Sequence, residues 1–126
     1  MSSQCVCTAR LLGDDCENRL PISTGSTIVS TVNATTCVGC GSCAIQRDVW
    51  REWTASCTGN ATISTCGFAP FDTKLGIYRG ACPSASTPTV TTESGSGDCT
   101  DFGSCGGSGQ EQATLAVVSG ERIIIR

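Results

Sequence analysis

Apolar and polar positions along this chain outline several short strands and little that repeats at helical spacing. Residues 26–32 are dense in β-branched side chains and predict a strand. Residues 61–66, 74–79 and 87–92 are further short strand candidates, punctuated by Gly, Pro and Asp. The clearest pattern is residues 113–118, a Ser119-Gly120 turn, then 122–126 with Ile123, Ile124 and Ile125 in a row. A two-residue turn containing glycine predicts that these two strands form a hairpin. Three consecutive apolar side chains point to both faces. The last strand is therefore expected to be paired and covered twice, by its own domain and by a neighbour.

Two stretches read differently. Over 44–55, Ile45, Val49, Trp50 and Trp53 fall at helical spacing, with Arg47, Asp48, Arg51 and Glu52 opposite and Ser42 placed to cap. A short helix is the expectation. The strand alternative would put Val49, Arg51 and Trp53 on one face. Residues 38–42 form a loop by their glycines, and residues 95–109 hold six glycines with Cys99 and Cys105, a loop pinned by its cysteines. The fold class that follows is all-β: a small disulfide-rich sandwich or jelly roll with at most one short helix. Residues 1–12 read as an extended N-terminal connector arm and residues 13–126 as a single β domain.

Composition sharpens this picture. Eleven cysteines in 126 residues reach the level that marks a disulfide scaffold. With few aromatics the core alone would be marginal, and bridges are expected to compensate. A net charge of −3, with Lys74 the single lysine, argues against a nucleic-acid surface. No run approaches the roughly 18 apolar residues that a spanning helix needs. Histidine is absent, which removes the commonest general base and His-ligated metals. No enzymatic activity is expected, and no cofactor. The acidic group Asp14, Asp15 and Glu17 is explained as well by a turn as by a weak cation site. Glu111 and Glu121 look like solvated strand positions. Trp50 and Trp53 fit ordinary core better than a sugar-stacking platform.

The cysteines carry the chemistry. Cys37-x-x-Cys40-x-x-Cys43 resembles the thiolate ladder of bacterial ferredoxins, but that family's fourth cysteine would fall at position 47, which is Arg. A zinc site would want a second such pair or a histidine. No metal is expected. Cys16, Cys37, Cys40, Cys43, Cys57, Cys66, Cys82, Cys99 and Cys105 are the intrachain disulfide candidates. Eleven is odd, so complete oxidation requires a partner outside the chain. Cys5 and Cys7 share one face of the arm and are the intersubunit candidates, with residues 8–13, Gly13 among them, expected to act as a hinge behind them. Asn33 and Asn60 each begin an N-glycosylation sequon.

Dense cysteine usually means an oxidising compartment, yet no signal peptide is visible at the start of the sequence. An extracellular or particle-surface location, on a spore, cell or virion, is the expectation. Taken with the size, the arm cysteines Cys5 and Cys7 and the Thr/Ser-rich β pattern, the chain resembles the endospore appendage subunits of bacilli. Connector cysteines in that family are adjacent, whereas Val6 separates them here. The resemblance implies a jelly-roll subunit of an extracellular filament, its partners copies of itself, locked by intersubunit disulfides from the connector. The alternatives are a virion decoration or fibre protein, and a secreted cysteine-rich binding module.

Overall fold

The computed structural model describes residues 12–41, 45–84 and 109–126. The expected arm through residue 11, the strand at 87–92, the cysteine-pinned loop up to residue 108, and Cys5, Cys7, Cys43, Cys99 and Cys105 lie outside the described residues.

Among the described residues, six strands and a single 3-10 turn make up the regular structure, so the fold is all-β. The turn, Cys16–Asn18, leads into β1 (Leu20–Ile22). Then come β2 (Arg51–Thr54), β3 (Gly59–Ser64), β4 (Ile77–Arg79), β5 (Gln112–Val117) and β6 (Arg122–Ile125). One sheet has the order β1-β2-β6-β4, and the second pairs β3 with β5. Apart from the parallel β1–β2 pair, every ladder is antiparallel.

The isoleucine run explains why β6 sits in the middle. Ile123 joins Ile77, Ala113, Leu115 and Val117 in the core between the two sheets. One residue on, Ile124 points the other way and packs with Cys16, Trp50 and Tyr78. Cys37, Cys40 and Cys82 lie against that second cluster. The four-stranded sheet is therefore covered on one face by the β3–β5 sheet and on the other by a disulfide-bearing layer. The chain itself covers both faces of β6, so the neighbour expected on one side is not needed there.

Three sequence expectations fail. The 113–126 segment is not a hairpin: β5 pairs with β3, and β6 pairs with β2 and β4. The Ser119-Gly120 turn carries the chain across the sandwich, because Val117 and Ile123 must meet from opposite sheets. Residues 26–32 form no strand: among the described residues no ladder partner lies beside them, and Ile28 is 99% exposed. The expected helix over 44–55 is absent from its described part: residues 45–50 are irregular and β2 takes 51–54, with residues 42–44 outside the described set. Arg47 sits at φ +51, which no right-handed helix tolerates. Trp50 faces the disulfide layer while Trp53 packs against the inter-sheet core, and a helix would have put them on one side.

Candidate cross-linking site

Cysteine chemistry divides the described molecule into a closed layer and an open end. The closed layer begins at Gly13, which is buried at φ +84. Its N–H donates to Asn18 O at 3.1 Å, and its O accepts from Trp50 N at 2.6 Å. The positive φ favours glycine, and a Cβ there would also displace the Arg51 guanidinium; with both backbone groups bonded, the position is not a free hinge. The chain then makes its 3-10 turn, and Cys16 bonds to Cys82 across a sequence separation of 66. Cys37 bonds to Cys40. A sulfur held in a disulfide offers no thiolate for a metal. Cys66 is disulfide-bonded too.

Under the Cys37–Cys40 loop lies a buried ion pair that the sequence reading did not anticipate. Arg126 Nε donates to Asp48 Oδ2 at 2.6 Å, with side-chain exposures of 1% and 0%. Its remaining N–H groups donate to Cys40 O, to Cys37 O at 3.1 Å and to Ile45 O at 3.2 Å. The guanidinium also stands 5.1 Å over the Trp50 ring. Asp48 Oδ1 accepts from Cys37 N at 3.0 Å. These bonds clamp the carbonyls of both cysteines from below.

Other polar candidates also find structural roles. Asp14 is buried and accepts from Thr35 N at 2.6 Å and Thr35 Oγ1 at 2.8 Å. Its side chain thus joins two chain segments. Glu111, expected in solvent, is fully buried. Trp50 is fully buried as well, so it presents no stacking face to a sugar. Asn33 and Asn60 are both exposed.

At the open end the β2–β3 connection turns over Ala55 to Thr58. Ala55 N donates to Glu121 O at 2.8 Å, and Gly120 N donates to Ala55 O at 2.7 Å. Ser119 N reaches Thr58 Oγ1 at 3.0 Å. Two crossings between the sheets are thereby stapled together, and Cys57 stands on this platform with an exposed, free thiol. It was expected in an intrachain bridge. Beside it opens a shallow groove of about 360 Å³, lined by Thr58, Asn60, Val118, Arg79 and Glu121 among others. Arg79 pairs with Glu121 and donates to Ala116 O at 2.8 Å. An exposed thiol on a rigid support can form a bond with a thiol brought from elsewhere, given an oxidant.

The Glu121 carboxyl is held below its ordinary value of 4.5, first by the N–H of Val118 and then by the Arg79 guanidinium. A carboxylate whose folded pKa is depressed stabilises the fold above its unfolded pKa and loses that contribution as pH falls through the folded value. Parent protein should therefore melt above Glu121→Gln at pH 7, and the gap should close as pH drops below about 4. Thermal unfolding of the two proteins across that range checks it; a gap that persists undiminished in acid would disprove the assignment.

The fold and the site define a small, disulfide-rich, two-sheet β protein with a free thiol at one end. No protein-family model, curated protein or solved structure matches the chain.

Proposed function

We propose that this chain is a structural subunit of an extracellular filament or appendage, self-assembling through strand contacts and locked by disulfides between subunits. One observation carries the reading: Cys57 is free, exposed and rigidly mounted, while the other five described cysteines are all disulfide-bonded. A thiol left open among so many closed bridges fits a bond reserved for another chain. Cys5 or Cys7 of a neighbouring subunit is its natural partner. Two thiols become one disulfide by giving two electrons and two protons to an oxidant such as dioxygen, after the protein has left the reducing cell interior. The sandwich itself needs no such bond, because its own bridges and two cores are internal.

Non-reducing and reducing gels of boiled material test the proposal. The parent should run as a ladder that collapses to monomer on reduction. Cys57→Ser should shorten the ladder strongly, and Cys5→Ser with Cys7→Ser should abolish it while circular dichroism shows an intact fold. A parent that stays monomeric without reductant after oxidation would refute the filament reading.

A further inference from the structure

We propose that residues 26–32 are a donor strand that pairs with the open edge of β3 in a second copy of this chain. The inference rests on the self-assembly reading and supplies its non-covalent contact.

The donor half is conspicuous in its exposure. Ile28 is 99%, Val29 48% and Val32 70% exposed, in a run that contains only Ser, Thr, Ile and Val. Left-handed backbone bounds it on both sides, at Gly25 (φ +115) and Asn33 (φ +62). Among the described residues no backbone hydrogen bond reaches 26–30. Thr31 O accepts from Ala34 N at 3.0 Å and Val32 N donates to Ser30 Oγ at 3.2 Å, a local turn that pairing would have to open. A segment with strong β propensity whose other backbone groups bond no described residue fits a strand lacking a neighbour.

The acceptor half follows from strand parity. Thr65 N donates to Glu111 O at 2.9 Å, so odd-numbered positions along β3 turn their backbone groups toward β5. Asn60, Thr62 and Ser64 therefore turn theirs outward. Among the described residues nothing pairs with those outward groups. The strand has neither Pro nor a charge, the usual protections of an edge. The other edges are less receptive. Pro21 interrupts β1, β4 is three residues long and ends in Arg79, and Gln112 and Thr114 of β5 have further partners.

The two halves fit each other. Six uncharged residues, 27–32, would lie along the six of β3. Alternation puts Ile28 and Val32 on one face. Laid on the side of Ala61 and Ile63, which pack against the inter-sheet core, they would extend that core. Val29 would then stand in the row of Thr62, a β-branched pair. Donor and edge are different patches of one chain, so the contact is head-to-tail and propagates as an open filament. That is why a second copy, and not an unrelated partner, is the occupant.

The test uses a full-length chain whose own donor is disabled. Ile28→Pro with Val29→Pro removes one N–H of each parity from within residues 26–30, which make no backbone–backbone bond among the described residues, so the fold should persist. A fluorescent peptide of residues 26–32 titrated onto this variant should give a saturable rise in anisotropy. Adding Thr62→Pro, which deletes only an outward N–H, should weaken binding at least tenfold. Thr62→Lys with Ser64→Lys should do the same, and serves if the proline variant does not fold. Failure of the peptide to bind, or equal binding to the edge variants, overturns the proposal. Peptide binding without the boiling-resistant ladder would overturn the filament reading alone, and a ladder without peptide binding would overturn this contact alone.

Discussion

Replacing Arg126 with Ala should unfold most of the protein at physiological temperature. The guanidinium is buried and satisfies Asp48 and three backbone carbonyls at once. Removing it strands the Asp48 carboxylate in a site with 0% side-chain exposure. Breaking one partner out of a buried pair costs about 3–5 kcal/mol, because the charge left behind has neither water nor counter-charge. Native stabilities are about 5–15 kcal/mol, so the loss consumes much of the margin. Lys at 126 should recover little, since a point charge cannot reproduce a planar fork spread over several acceptors. Asp48→Asn should be nearly as damaging, leaving the guanidinium uncompensated. The apolar double replacement, Arg126→Met with Asp48→Leu, should be less harmful than either charge-stranding single change. Urea denaturation midpoints at constant slope measure all of these. An Arg126→Ala protein within about 1 kcal/mol of the parent would mean that water reaches the pair and screens it.

None of that network could be read from the sequence, and the reason is distance along the chain. Asp48 and Arg126 are 78 residues apart, and nothing local marks either as buried. Amphipathic spacing even placed Asp48 on a solvent face, because a helical period was fitted to a segment that is a bend running into the strand Arg51–Thr54. What was legible depended on local pattern with a uniform meaning. The strands at β3, β4, β5 and β6 were found because alternation and β-branching hold wherever the strand ends up. Ile123 to Ile125 announced two covered faces because pleating leaves no other outcome. Pairing was not legible. A Ser-Gly turn reverses the chain equally well within a sheet or between two, and only the meeting of Val117 with Ile123 decides which. Residues 26–32 have the same propensity as a strand and, among the described residues, no neighbour to make them one. Propensity scores a pleated surface and cannot supply it. Cysteine count announced the scaffold, while the identity of the free thiol had to wait for positions in space.

Removing the Cys16–Cys82 bridge should cost about 4 kcal/mol, since a disulfide acts mainly on the unfolded chain and the effect grows with the logarithm of the loop it closes. This one spans a separation of 66 residues, tying the turn before β1 to the segment after β4. Cys37–Cys40 closes a separation of 3, and the same relation gives about half as much. Cys16→Ala with Cys82→Ala should accordingly lower the melting temperature by roughly 10–20 °C at this chain length. Cys37→Ala with Cys40→Ala should shift it clearly less, as the Arg126 clamp on that loop uses backbone carbonyls that survive the change. Packing works in the same direction for the long bridge. Cys16 is 3% exposed and sits beside Trp50, Tyr78 and Ile124, so losing its sulfur also opens the second core. Its backbone O accepts from Arg19, whose Nε pairs with Glu52 at 2.5 Å; the substitution removes only the contact of that arginine with Cys82 Sγ and leaves these two bonds. The loss should therefore be cooperative unfolding of the whole domain at lower temperature, with the 3-10 turn still attached to the sheet. Calorimetry of the two double variants against the parent separates the effects. Should the long-loop variant melt no lower than the short-loop one, restriction of the unfolded chain is not what this bridge contributes.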